Sequence, residues 1–296
     1  MIWKGKKVNI NNYREIFKGW SNSSLEVIRS AILDDTPLEP YISAYKGEPH
    51  LLWEIKMALD EGIDLSWISS SFLNSSHNSF NILKDLRELK ELGYNIKPIK
   101  KYLGMNLSMD HIVYILKWYK KGYSLDRYDF SILPKSLLDV FDYGLSLGYP
   151  MYLFNNGKQY SPEYVKACLK ILSNNQQVSR FLDGDWYLDV LEMLATYSKS
   201  KYYKKLIDYV TRDITTSILE ELYLCCKSGM DLKEISKLDE DGLYVYQPIK
   251  MRIIREAFVN KYDYTRLMNT ELSVSNMNTM LKEMELNSMK RVSGRL

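Results

Sequence analysis

Three cysteines, eight prolines and fourteen glycines are few for a chain of 296 residues. Cys168, Cys225 and Cys226 cannot build a disulfide framework, and two of them are adjacent, so a reducing compartment is expected. With so little proline and glycine, no low-complexity linker separates the chain into halves. No stretch approaches the roughly 20 apolar residues that span a bilayer. The opening "MIWKGKKVNINN" has no long apolar run after its lysines, so a secretory signal is not expected. The sequence reads as cytoplasmic, with no membrane association. Charge of one sign is also lacking. Forty basic against 37 acidic residues leave a net charge of +3, so bulk charge does not imply nucleic-acid binding.

Catalytic and cofactor signatures are absent too. No G-x-x-x-x-G-K-[ST], G-x-G-x-x-G or G-x-S-x-G occurs. His50, His77 and His111 have no H-E-x-x-H or C-x-x-C spacing around them and read as surface or capping residues set before helices. No enzyme activity, metal or cofactor is expected, although a catalytic group assembled across repeats would not show as a motif.

What the chain does have is a repeat. "GIDLSWI" at 62–68 recurs as "GYNIKPI" at 93, "GYSLDRY" at 122, "GMDLKEI" at 229 and "KYDYTRL" at 261. Weaker copies start at 35, 148, 175 and 200, giving nine phrases 25–32 residues apart. The residues upstream keep one register. Ten before each phrase lie Leu25, Leu52, Leu83, Ile112, Leu138, Val165, Val190, Leu219 and Met251. Seven before lie Ile28, Ile55, Leu86, Ile115, Phe141, Cys168, Met193, Leu222 and Ile254. Apolar steps of three and four make a helix with one buried stripe.

The phrase itself is a joint. A glycine in the left-handed conformation ends a helix at low cost, and the bulky residue after it packs back on the last turn. Asn175 can adopt the same conformation. Asp64, Asn95, Ser124, Asp231 and Asp263, two after the glycine slot, are N-cap types for a short second helix. One such unit cannot bury its own stripe, so neighbours must stack. The expected fold is all-α: an α-solenoid of about nine helix–turn–short-helix repeats over residues 22–269. Residues 1–21 would cap the N-terminal end, and 270–296 would supply a capping helix and a frayed basic tail.

Candidate contact residues follow from the joints. The position five after the glycine slot holds Trp67, Arg127, Arg180, Lys205 and Arg266 among its nine occupants and is expected to point outward. Basic clusters interleaved with tyrosine add Lys97, Lys100 and Lys101, then Lys120 and Lys121, then Lys204 beside Lys205. Such clusters can track a nucleic-acid backbone and stack bases, or can simply be solvated helix ends. The 24 tyrosines are the stronger oddity; some, such as Tyr114 and Tyr152, fall off the core register and suit a protein interface.

"LLWEIKMALDEGIDLSWI" (51–68) and "LEELYLCCKSGMDLKEI" (219–235) resemble the short helical repeats, roughly I-x-x-G-L-x-x-G-L-D-V-x-x-Y, of phage and mobile-element proteins from low-GC Gram-positive bacteria. The likeness covers 22–268 as an architecture, with three or four copies matching well; the units at 35, 175, 200 and 261 lack the glycine. The resemblance implies an accessory or anti-defence role, for example an inhibitor that binds a CRISPR effector in the host cytoplasm. A weaker likeness is to the mitochondrial transcription termination factor repeats, which bind nucleic acid, although their proline and leucine pattern is poorly kept. The expected partner is therefore a protein or ribonucleoprotein, with direct RNA or single-stranded DNA binding as the alternative.

Overall fold

The computed structural model describes residues 2–42, 48–68, 72, 76–103, 105 and 107–293. The fold is all-α, and the described residues include one minimal hairpin, Ile2–Trp3 against Lys6–Lys7, turned at Lys4 and Gly5 with both in the left-handed region. Ten long helices follow, numbered here in order: α1 (Asn22–Leu33), α2 (Pro49–Asp60), α3 (Ser76–Glu91), α4 (Met109–Lys120), α5 (Leu138–Ser146), α6 (Pro162–Leu172), α7 (Leu188–Tyr197), α8 (Thr216–Lys227), α9 (Pro248–Val259) and α10 (Val274–Ser293). The chain divides into two compact units, Met1–Gly157 and Lys158–Leu296. In the first, α1 packs on α2, α2 on α3, α3 on α4 and α4 on α5. In the second, α6 packs on α7, α7 on α8, α8 on α9 and α9 on α10.

The apolar register accounts for this packing. All nine residues ten before the phrases are buried. Of those seven before, all are buried except Met193, which is half-exposed. In α7 the stripe has slipped by one, and Leu194 is fully buried in its place. Starts and stops are local. Ser21, Ser161 and Thr215 cap α1, α6 and α8 by accepting a backbone N–H, and Pro49, Pro162 and Pro248 open α2, α6 and α9, where the missing donor costs nothing.

The joints behave as left-handed helix stops. At eight of the nine slots φ is positive, from 56° at Asp35 to 87° at Gly229. The next residue's N–H reaches back to the carbonyl five residues earlier each time, as from Ile63 to Ala58 at 2.8 Å and from Tyr123 to Trp118 at 3.0 Å. Asp35, Asn175 and Lys261 adopt this conformation without glycine's freedom. Ser200 is the exception, and it follows the helix whose stripe has slipped.

The second element is more varied than a short helix. It is α-helical at Glu39–Ile42, Lys97–Leu103, Tyr203–Ile207 and Leu232–Ile235, a single 3-10 turn at Leu125–Arg127, Met151–Phe154, Ser179–Phe181 and Tyr264–Leu267, and only a turn at 65–68. Asp64, Asn95 and Asp231 accept the backbone N–H two residues on. Ser124 makes no such bond, and Asp263 takes the Thr265 hydroxyl instead. A three-residue turn exposes fewer orphan N–H groups than a helix, so a cap there is dispensable. The expected tail begins with α10; residues 294–296 lie outside the described residues.

Each helix pair in the first unit is also joined by charge. Lys56, almost wholly buried, sits between Asp34 at 2.7 Å and Asp60. Arg87 joins Glu54 at 2.8 Å and Glu61 at 2.6 Å. Lys120 meets Asp85 and Glu88 at 2.8 and 2.7 Å, and Lys117 and Lys121 converge on Asp142 at 2.8 and 3.2 Å. In the second unit Glu221, also buried, takes Arg252 and Arg255 at 3.0 and 3.1 Å. Where the charge is buried or nearly so, as at Lys56, Arg87 and Glu221, the pair adds little net stability over an apolar contact but removing one partner is costly, so it fixes which helix faces which; the more exposed pairs of Lys117, Lys120 and Lys121 contribute less.

Substitution at the joints tests the left-handed stops. A Cβ at Gly122 would meet nothing within 4 Å, so Gly122→Ala isolates the backbone cost. It is expected to lower stability by about 1–2 kcal/mol, whereas Lys261→Gly relieves the same strain and gains a few tenths to about 1 kcal/mol. Urea midpoints at unchanged slope measure both; equal effects from the two would show that the conformation is not what matters there.

Candidate interaction surface

Two consecutive joints of the first unit enclose a pocket of about 290 Å³. Gly62 turns the chain out of α2, which buries Ile63 against the stack and leaves Asp64 at the surface. Asp64 holds the turn through the Ser66 N–H at 2.8 Å, and its carbonyl accepts the Trp67 indole N–H at 3.1 Å. The indole is thereby folded back on its own joint, half-buried, edge-on to Phe72 at 4.9 Å. The next joint brings Tyr94, then Asn95 capping the Lys97 N–H at 3.1 Å, then Lys97 and Lys100 one helical turn apart. Ile63, Leu86, Ile96 and Leu103 form the apolar lining.

Three lysines and one aspartate are the charged lining groups. Lys100 donates to the Asp64 carboxylate across the pocket, and this bond, with those from Ser66, holds Asp64 far below the usual carboxylate range. Lys90 donates to the Glu61 carbonyl at the end of α2, where the helix dipole favours a cation. Lys97 is exposed, with no hydrogen bond or ion pair of its side chain among the described residues. Tyr119 of α4 lies 6.0 Å from Tyr94 and donates to the Asn95 carbonyl, fastening the rim to the next unit.

The other expected contact residues are distributed unevenly. Lys120 and Lys121 are engaged in the helix-to-helix ion pairs above, and Lys121 also lies 6.0 Å over Tyr123. Lys101 is exposed, 5.4 Å over its neighbour Tyr102. Arg127 is exposed and stacks 5.2 Å over Tyr152. Arg180 donates to the Ile207 carbonyl and to the Val210 carbonyl at 2.6 Å, with its guanidinium 5.3 Å over Trp186. Lys205 donates to the Met230 carbonyl at 3.2 Å. Lys204 and Arg266 are exposed, without hydrogen bond or ion pair among the described residues. The slot five after the glycine is thus solvent-facing in seven of nine copies, with Trp67 and Leu153 half-buried, but it is no uniform ladder of free cations.

Tyrosine has a structural use that sequence reasoning missed. Tyr102 donates to Asp126 at 3.3 Å, Tyr114 to Asp139, and the Trp118 indole to Asp142 at 3.1 Å, each across 24 or 25 residues. Tyr160, Tyr164, Tyr244 and Tyr246 donate to the carbonyls of Leu182, Phe181, Tyr209 and Met268. These phenols are struts from one repeat to the next within each compact unit. The signal was present as aromatic donors one repeat length from an aspartate, a pairing that a search for surface tyrosines overlooks.

Of the groups that carry chemistry, His111 and the three cysteines are engaged or buried, whereas His50 is exposed. His50 and His111 lie in the first turns of α2 and α4, not before them, and the side chain of His77 lies outside the described residues. His111 bridges the Ser108 hydroxyl and the Leu133 carbonyl at 2.7 Å each; a carbonyl only accepts, so Nε2 donates and Nδ1 accepts. All three cysteines are buried, and burial pushes the Cys168 and Cys225 thiols up to about 12. Among the described residues no group of three or more His, Cys, Asp or Glu is placed to hold a metal ion, and no helix is long and apolar enough to cross a membrane.

Comparison with protein-family models, with curated protein sequences and with solved structures finds no match to this chain.

The struts and ion pairs predict a two-sided pH response. The bond to Lys56 lowers the pKa of Asp34, and that to Lys120 lowers that of Glu88; burial raises that of Asp142, but Lys117 and Lys121 outweigh it. Their stabilisation is complete above the ordinary carboxylate pKa of about 4 and is lost as pH falls through their lower folded values. Burial and Asp126 push Tyr102 up to about 12, and the bond to Asp139 and burial do the same for Tyr114. Their stabilisation is complete below about 10 and is lost as pH rises toward 12. Near-ultraviolet phenolate absorbance should therefore titrate in two phases, the later one coinciding with unfolding; a single phase near 10 would remove the struts from the account.

Proposed function

We propose that the chain is a non-enzymatic α-solenoid that binds a protein or ribonucleoprotein partner along the edge formed by its joints. One observation carries the reading. In the first unit the joints hold out apolar and aromatic side chains that the stack does not bury: Leu92 (66% exposed), Tyr94 (41%), Leu147 (48%) and Tyr152 (37%). Lys97 and Arg127 stand among them. Aromatic residues and arginine are the side chains enriched at binding hot spots, and stacked repeats offer long surfaces to partners. The occupied state of the other reactive groups supports the non-enzymatic part: the thiols are buried with raised pKa, and both ring nitrogens of His111 are bonded.

The resemblance to phage repeat proteins suggests a sharper version, an inhibitor of a bacterial defence nuclease acting in the host cytoplasm. Binding of RNA or single-stranded DNA is the alternative. Lys97, Lys204 and Arg266, without carboxylate partners among the described residues, support it; Arg180 and Lys205, bonded to backbone carbonyls, weaken it.

Affinity capture from a Gram-positive host lysate, with and without nuclease treatment, tests the reading. The wild-type chain should retain a protein partner that survives nuclease. Leu147→Ser with Tyr152→Ala should reduce recovery by about ten-fold or more, the loss of about two modest hot spots. A chain that repeatedly emerges alone at low salt would overturn the proposal, and nuclease-sensitive capture would transfer support to the alternative.

A further inference from the structure

We infer that the pocket between the joints at 62–68 and 93–103 is a recognition site for one apolar side chain flanked by carboxylates, presented on an acidic peptide segment of the partner. The inference rests on the protein-binding reading above and adds the chemistry of what is bound.

Size comes first. About 290 Å³ lies at the small end of ligand sites, which run from about 300 to 1,000 Å³, so it suits a single side chain better than a cofactor. The lining decides the character of that side chain. Ile63, Leu86, Ile96 and Leu103 are aliphatic, and the half-buried Trp67 and the more exposed Tyr94 add aromatic walls. Water there makes few hydrogen bonds, so an apolar group gains by displacing it.

Charge decides what flanks the anchor. Asp64, the only acidic group of the lining among the described residues, is neutralised by Lys100. Glu61 and Glu54 stand near Lys90 in the chain fold, but both carboxylates bind Arg87 and neither lines the pocket. Lys97 remains, exposed at the rim with its ammonium uncompensated by any ion pair among the described residues. A carboxylate beside the anchor would complete that pair and add a charge-assisted hydrogen bond. The same geometry argues against a nucleotide. Non-specific base binding uses aromatic faces in series along a basic groove, whereas the described lining sets four aliphatic side chains beside Trp67 and Tyr94 and holds no arginine.

Fluorescence anisotropy with short labelled probes tests the site directly on the full chain. One probe carries a single phenylalanine flanked by aspartates, a second has serine in place of phenylalanine, a third has lysines in place of the aspartates, and a fourth is labelled oligouridine. At about 50 mM salt the first probe should bind about ten-fold or more tighter than the other three. Lys97→Ala should weaken it about five-fold, Lys97→Arg should restore it, and Lys227→Ala, exposed, distant in sequence and outside the pocket, should leave it unchanged. Trp67→Ala should weaken it more. The Lys97 side chain is exposed and makes no hydrogen bond or ion pair among the described residues, so its variants keep the fold even if the Trp67 variant does not. Equal binding of the serine probe, tighter binding of oligouridine, or indifference to Lys97→Ala would overturn the inference. Lysate capture that persists while the first probe fails would reject the pocket and leave the proposed function standing. Probe binding without any captured partner would do the reverse.

Discussion

The stacking of this chain depends on a left-handed residue at the end of eight of its long helices. A helix must stop, reverse and present its stripe to a neighbour within a few residues, and one positive φ achieves that with backbone bonds alone. The stop sets where the apolar stripe points, because the residue after it folds back on the last turn. The single joint without it makes the dependence visible. Ser200 keeps an ordinary conformation, and the preceding helix carries its stripe one residue out of step, with Leu194 buried and Met193 half-exposed.

Stacking by apolar stripes alone would allow neighbours to slide. Polar bonds between units remove that freedom in two chemically different ways. Ion pairs such as Lys56 with Asp34 and Glu221 with Arg255 cost much if left half-made, so they penalise wrong neighbours more than they reward right ones. Phenol struts and cation-to-carbonyl bonds, such as Tyr246 to Met268 and Lys205 to Met230, satisfy backbone carbonyls that a turn would leave exposed. The large tyrosine content follows: phenol is long enough to cross to the next unit, apolar along its length and a donor at its tip.

Much of the fold was legible because its determinants are local. A stripe of steps three and four, a glycine, and a polar cap two residues on all lie within about fifteen residues, and the structure keeps seventeen of the eighteen leading positions buried. Asp35 and Lys261 were harder, since neither advertises a left-handed backbone, and only their place in the register located them. The candidate surface was less legible. Sequence spacing located the slot of Arg180 and Lys205 but could not show that carbonyls from a neighbouring unit accept their N–H groups. It singled out Trp67 as outward, whereas the indole turns back to its own joint and forms a pocket wall. Contacts between units depend on side-chain reach, which no periodicity encodes.

The bonds between units join residues only about one repeat apart, from 17 residues between Tyr164 and Phe181 to 36 between Lys100 and Asp64. This has a consequence for synthesis. A helix leaving the ribosome waits only for the next repeat before its apolar stripe is covered, a delay of a few seconds at about 5–20 residues per second. Within each compact unit, then, the nascent chain can lay down structure as it emerges, and at no stage need it hold a large sticky surface open for a distant segment to arrive.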